Sequence, residues 1–204
     1  MSLYLIRHGE TALNAARVMQ PADTPLSARG LLQADAIAAR VGQLSVAAIV
    51  ASPLARAWST AEAIGTASAL PVARLALLQE RNFGDWRGRP YDALGSDAIG
   101  ANDAPPGGES MAEFEVRVAQ AFAAIVALRA TLDGPLAVVT HGLVIHTLIA
   151  RHLALPAGSA APRRIANTSL TIAAALRPHE ITLLDCTRHL VGGLRDDASS
   201  LSGG

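Results

Sequence analysis

The sequence predicts an α/β fold with a mostly parallel central sheet, and three observations lead there. Short apolar or β-branched runs alternate with alanine-rich stretches of helical period, the pattern of strands joined by crossover helices. Two of those runs, LYLI and LAVVT, are followed closely by a histidine and then a glycine, which lets the backbone turn sharply where parallel strands end. The 204 residues, 50% of them hydrophobic, can bury one substantial core. One domain is expected over residues 1–194, with an insertion at 78–108 that covers a site and a flexible small, polar tail at 195–204.

In chain order, strands are expected near residues 3–7, 46–51, 72–77, 135–140, 169–175 and 180–186. Ser27 is placed to cap a helix carrying Leu31, Ala34, Ile37 and Val41 and stopped by Gly42. A second helix follows Ser52-Pro53. Ser110 and Glu113 have the spacing of a capping box, ahead of an amphipathic helix with the stripe Phe114, Val118, Phe122, Ile125. Between Leu78 and Gly108, glycine, proline, aspartate and asparagine interrupt any period.

Composition narrows the chemistry. All 17 cations are arginine, so a Walker lysine, a Schiff-base lysine and a lysine base are excluded. Seventeen acids balance them, so no global field favours nucleic acid or an anionic membrane, and an anion site has to be local. A single cysteine, Cys186, allows no internal disulfide and no thiolate metal cluster, and in its apolar strand it is expected to be a small buried hydrophobe. With no leader-like segment and no membrane-length apolar run, a cytoplasmic protein is expected, as a monomer or homodimer.

Ligands of parallel α/β sheets bind outside the carboxyl ends of the strands. Arg7-His8 follows the first strand and His141-Gly142 the fourth, so the two imidazoles face a common point if these strands are neighbours. Arg56 falls in the first turn of a helix, where the macrodipole disfavours a cation unless an anion lies beside it. Two arginines and two histidines at a helix N-terminus make a phosphate pocket. In it Arg7 binds the anion and His8 attacks it, while Glu80, at the head of the insertion, gives the leaving oxygen its proton. Singly, each of these residues is better explained structurally, a histidine as a hydrogen-bonded group and an arginine as the partner of a surface carboxylate, and Glu10 is expected to anchor its loop. Their joint placement carries the functional assignment.

Arg7-His8-Gly9-Glu10-Thr11, followed by Asn14, resembles the signature of the histidine phosphatase superfamily, which includes the cofactor-dependent phosphoglycerate mutases. The stretches from Asp23 to Gly30, Ser52 to Ala57, Pro106 to Ser110, Val139 to Gly142 and Asn167 to Ser169 are similar to its further motifs, in order. The resemblance implies a three-layer α/β/α sandwich, phosphoglycerate mutase-like, and no cofactor. It implies His8 as phosphohistidine nucleophile, Arg7, Arg56 and His141 as phosphate ligands and Glu80 as acid, with Asn14, Gln20 and Gly142 on the substrate side. Departures are Gln20, where relatives carry glycine, Arg87 where many phosphatases have glutamate, Leu143 for a second glycine and His146 for arginine.

The stretch Phe83 to Gly88 looks like the phosphatase version of the loop after the acid, which favours a hydrolase over a mutase. A non-catalytic scaffold would have lost the nucleophile or the acid, and both are present. The implied partner is a small phosphorylated metabolite. His141 and His146 lie roughly 140° apart around a helix, so no metal site is implied. His152, His179 and His189 are expected at the surface or in packing, and Arg81, Arg87, Arg89 and Trp86 either hold a second anion or base or form a solvated face.

Overall fold

The computed structural model describes residues 2–95 and 99–195. Six strands, β1 (Ser2–Arg7), β2 (Ala48–Ala51), β3 (Val72–Arg74), β4 (Leu136–Thr140), β5 (Leu170–Ala174) and β6 (Ile181–Cys186), form one sheet in the order β3-β2-β4-β1-β5-β6. The run β3-β2-β4-β1 is parallel, while β5 is antiparallel to both β1 and β6. The helices are α1 (Ala12–Ala15), α2 (Ala28–Gly42), α3 (Ala55–Ser68), α4 (Met111–Ala130) and α5 (Gly142–Arg151).

Period-two alternation in the strands decides the layers. Leu3 and Leu5 of β1, with Leu136 and Val138 of β4, pack with Phe114, Val118 and Ile125 of α4 and Ile145 of α5. Tyr4, Ile6, Ala137 and Val139 face the other way, onto Ile37 and Val41 of α2 and Ala61 and Ile64 of α3. The central strands are therefore apolar on both faces, as a covered parallel sheet requires, and the result is a three-layer α/β/α sandwich. The caps form as the sequence predicts: Ser27 Oγ accepts the Gly30 amide at 3.0 Å, and Ser110 and Glu113 satisfy each other's amides. Leu31 is not part of the buried stripe of α2 but 53% exposed, and Gly42 is the last helical residue, against Ala67 of α3. Among the described residues no helix is long and apolar enough to cross a membrane.

The third strand is shorter than the expected 72–77. It leaves the sheet edge after Arg74, and Ala76–Leu78 form a 3₁₀ turn. Leu78 must leave the edge to bury itself in the α4 side of the core, where the Thr140 hydroxyl donates to its carbonyl at 2.7 Å. That turn delivers Glu80 to the centre of the sheet. The segment beyond is stitched to the chain after α1: Gly88 donates to Met19, Met19 to Arg89 and Tyr91 to Arg17 through backbone amides. Met19, Phe83 and Tyr91 form a small separate core over which Trp86 packs. The expected flexible tail, apart from Arg195, lies outside the described residues.

Candidate active site

Parallel pairing of β1 and β4 in the register Arg7 to Thr140 places His8 and His141 side by side, one residue beyond the strand ends. Their ring centroids are 5.2 Å apart. On the other side of β4, the Ser52 amide donates to Val139 at 2.9 Å, so the chain enters α3 beside His141 and carries Arg56 into the same space. Three adjacent strands thus end side by side, and Glu80 lies near enough for Arg56 and Arg7 to act on it. His8, Arg7 and Arg56 are each 1% exposed, Glu80 4% and His141 0%.

The nucleophile candidate is held by its backbone. The His8 carbonyl accepts from the Asn167 side-chain amide at 2.9 Å and from the Thr168 amide at 3.3 Å, and its own amide donates to Thr140. Its ring nitrogen Nδ1 lies 2.7 Å from the Gly9 carbonyl, a group that can only accept. Nδ1 is therefore the protonated nitrogen, and Nε2 keeps its lone pair. Burial, then Arg56 and Arg7, hold the His8 pKa well below 6.5, so the neutral ring dominates around neutral pH. Burial also lowers the His141 pKa, aided by Arg56 and His8. His141 Nε2 is 2.8 Å from the Ser52 hydroxyl, and its Nδ1 is buried without a partner. When the Ser52 hydroxyl donates to Nε2, Nδ1 carries the ring proton and can donate it to an approaching oxygen.

Arg7 donates to the Ile165 carbonyl, and Arg56 Nη1 to the Pro21 carbonyl at 3.2 Å. Burial, joined by Arg7 and Arg87 and opposed by Glu80, lowers the Arg56 pKa to about 10. Such a cation is stabilised by an anion. Glu80 receives the Arg81 amide on Oε1 at 3.0 Å and the Leu143 amide, in the first turn of α5, on Oε2 at 3.2 Å. Burial pushes its pKa above 4.5, outweighing those amides and the arginines. A carboxyl so placed can hold a proton that it later gives up.

Other expected site residues fall as follows. Asn14 is buried on α1, its amide donating to the Thr11 hydroxyl at 3.0 Å, and the same hydroxyl donates to Gln20 Oε1 at 2.6 Å. Gln20 thus ties down the loop after His8. Gly142 is buried at the start of α5. Glu10 accepts from Ser27 at 2.8 Å and pairs with Arg29 at 2.8 Å, the anchoring role expected of it. Arg81 is neither a loop cation open to ligand nor part of a solvated face: it is buried and donates to the carbonyls of Glu109, Ile99 and Asp103. Cys186 is not a buried hydrophobe, since it is half-buried and its Sγ accepts from Arg40 at 3.4 Å. His152 and His179 pack against Phe122, and His189 bonds to Arg40 and Thr168.

Two contributors carry no sequence signal of their own. Arg117 of α4 donates to the carbonyls of Leu77, Gln79 and Glu80 and grips Glu109 at 2.7 Å, fixing the turn that presents Glu80. Tyr91 is 7% exposed with a partnerless buried hydroxyl, and Glu80, Arg7 and Arg56 all act on it. Among the described residues no three His, Cys, Asp or Glu side chains gather as a metal-ligand group.

Comparison with known proteins gives a consistent picture. A family model described as the histidine phosphatase superfamily (branch 1) matches residues 3–184. The probable phosphoglycerate mutase GpmB of Erwinia tasmaniensis is 34% identical over 181 residues, covering 84% of this chain and 83% of that one. A mycobacterial glucosyl-3-phosphoglycerate phosphatase is similar in structure with a TM-score of 0.73 and 34% identity, over 85% of this chain and 90% of that one. An Escherichia coli K-12 protein provisionally assigned as an α-ribazole-5′-phosphate phosphatase superposes with a TM-score of 0.76 at 30% identity, over 94% and 98% of the two chains.

Proposed function

Because the chain belongs to the histidine phosphatase superfamily, we propose that it is a metal-independent phosphomonoester hydrolase that works through a phosphohistidine on His8 and acts on a small phosphorylated metabolite in the cytoplasm. The observation that carries this is the His8 ring, fixed by Gly9 with Nε2 left unprotonated and buried close enough to Arg7 and Arg56 to feel both, together with a Glu80 whose pKa burial raises.

The steps follow from that arrangement. Arg7, Arg56 and the Nδ1–H of His141 hold the phosphoryl oxygens and stabilise charge on them in the transition state. Nε2 of His8 attacks phosphorus while the bond to the ester oxygen breaks, and that oxygen takes the Glu80 proton. Glu80, now a carboxylate, accepts a proton from a water that attacks the phosphoryl group. The P–N bond breaks, phosphate leaves, and Glu80 is again protonated.

Hydrolysis is favoured over mutase chemistry by the segment beyond Glu80. A mutase must keep its intermediate from water behind a closing lid. Here Arg81 draws the segment together through the carbonyls of Ile99, Asp103 and Glu109, an arrangement of a fixed loop rather than of a lid. Phosphatases among the similar structures support this, while the mutase name of the Erwinia relative sets the rival to be tested. The test incubates chelator-treated protein with p-nitrophenyl phosphate and, separately, with 3-phosphoglycerate primed by 2,3-bisphosphoglycerate. Phosphate release without metal and negligible 2-phosphoglycerate are expected. Loss of activity on chelation, or isomerisation that outruns hydrolysis, would overturn the assignment.

A further inference from the structure

Glu80 is bracketed by an ion pair that does not bond its carboxyl group. Glu109, just ahead of α4, and Arg117 of α4 meet by two prongs, Nε to Oε1 at 2.9 Å and Nη2 to Oε2 at 2.7 Å. On the near side of the acid, Arg117 Nη1 donates to the carbonyls of Leu77 and Gln79 at 2.9 and 2.7 Å, and Nη2 reaches the Glu80 carbonyl at 3.3 Å. On the far side, Glu109 Oε2 accepts the Asn82 amide at 3.2 Å, and the Glu109 amide donates to the Asn82 carbonyl at 2.8 Å. One pair therefore holds the backbone before and after the acid, while the carboxyl group itself takes the Arg81 and Leu143 amides.

Gripping carbonyls needs only the donors of Arg117, so the carboxylate set against it calls for a second reason. Charge supplies one. Arg56 and Arg7 already favour an ionised Glu80, Arg81 and Tyr91 are near enough to feel its charge, His8 and His141 are neutral, and burial outweighs the arginines. A bare guanidinium on the Glu80 carbonyl would add a further cation and favour loss of the acid's proton. Arg117 is within electrostatic reach of the site, since it also bears on His141. Glu109 cancels that charge at its source. With side-chain exposures of 19% for Arg117 and 15% for Glu109, water takes little part in the cancellation. Glu113 lines the same cavity of about 490 Å³, but it is fully exposed and bonded to Ser110.

We propose that Glu109 is a positioning residue for the acid: it holds the chain after Glu80 and neutralises the Arg117 that holds the chain before it, so that Glu80 meets the leaving oxygen as the neutral acid. The pair acts through the backbone and through its net charge of zero, and touches no reacting atom. This rests on the assignment of Glu80 as proton donor, and the experiment separates the two.

Single-turnover rates on an alkyl phosphate are measured against pH for the wild type, Glu109→Gln, Arg117→Gln and the double variant. The wild-type rate should fall as pH rises through the folded pKa of Glu80. Glu109→Gln leaves an uncancelled cation, so this alkaline limb should move to lower pH, by about one unit at an effective dielectric near 20, or tenfold in rate above the limb. Arg117→Gln leaves an uncancelled carboxylate and should move the limb to higher pH. The double variant should bring it back towards the wild-type position at a reduced rate, because the carbonyls have lost their donors. Loosening of the turn alone would move both single variants the same way. The ester's own ionisation is common to all four proteins and drops out of the comparison. Glu115→Gln, which breaks the pair with Arg151, should leave the limb where it is. Labelling of His8 by p-nitrophenyl phosphate shows which variants fold, and either single variant suffices to read the sign. A limb that neither variant moves, or that both move in one direction, would overturn the inference and leave the phosphatase assignment standing. A wild type with no alkaline limb would remove Glu80 as the acid and overturn the inference with it.

Discussion

Gly9 and Gly30 meet backbone to backbone: a Cβ on Gly9 would lie 2.5 Å from the Gly30 carbonyl oxygen, and one on Gly30 only 2.0 Å from that of Glu10. The residue after the nucleophile and the start of α2 are thereby pressed together. Ser27 secures the contact by donating its amide to Glu10 at 2.9 Å. Gly30→Ala should therefore push the His8 loop out of place. Because a backbone oxygen cannot rotate away, the cost should be at least the ~1–3 kcal/mol of overpacking. Thermal melts should show a loss of several degrees together with a drop in kcat. Gly193→Ala, where nothing lies within 4 Å of the added atom, should melt like the wild type.

Glu80→Gln removes the proton that the leaving oxygen needs while keeping much of the shape. Cleavage of an alkyl phosphate should slow by roughly 10²–10⁴-fold, and that of p-nitrophenyl phosphate far less, since its phenolate leaves unaided. Because burial raises the Glu80 pKa, the acid form persists above pH 4.5 and is lost as pH rises through the folded value. Single-turnover rates on the alkyl ester should fall on the alkaline side for the wild type, and the variant should lack that limb. Equal losses on both esters would remove Glu80 from the role of acid.

Stability should fall on acidification because two imidazoles are buried neutral. His8 and His141 have folded pKa values held well below 6.5 by burial and then by Arg56. Below about pH 6.5 the unfolded chain binds protons that the folded one refuses, so stability is full above that pH and declines as pH falls towards the folded values. Glu80 acts in the opposite sense, since its raised pKa favours the folded state at low pH. Comparing Tm at pH 7.5 and pH 5.5 for the wild type and the His8→Asn, His141→Asn double variant isolates the imidazoles. The wild type should lose more.

Much of this site is legible in the sequence because its parts sit at strand ends, where fold topology alone brings residues together. Arg7-His8 and His141 follow from runs of strand period, and Arg56 from a helix start. Glu80 is harder, because it is reached through a turn at Ala76–Leu78 that a period-two reading extends as strand. What decides the turn is the burial of Leu78, a tertiary effect with no local signal. Arg81 illustrates the reverse error: an arginine in a loop rich in glycine and proline reads as solvated, yet the loop folds around it and supplies three carbonyls. Cys186 reads as apolar from its neighbours, and Arg40, 146 residues away, makes it a hydrogen-bond acceptor. Tyr91 and Arg117 are invisible in the sequence for the same reason, since their roles depend on which elements they reach across.

The most direct test of the central claim is to trap the intermediate. Wild-type protein mixed with a ³²P-labelled phosphomonoester and quenched in alkali within the first turnovers should carry a phosphoryl group that is stable to base and released by acid. Peptide mapping should place it on Nε2 of His8, and the His8→Ala variant should take up none and lose nearly all turnover. Phosphate release by the wild type with no covalent label, or label retained in His8→Ala, would contradict the account.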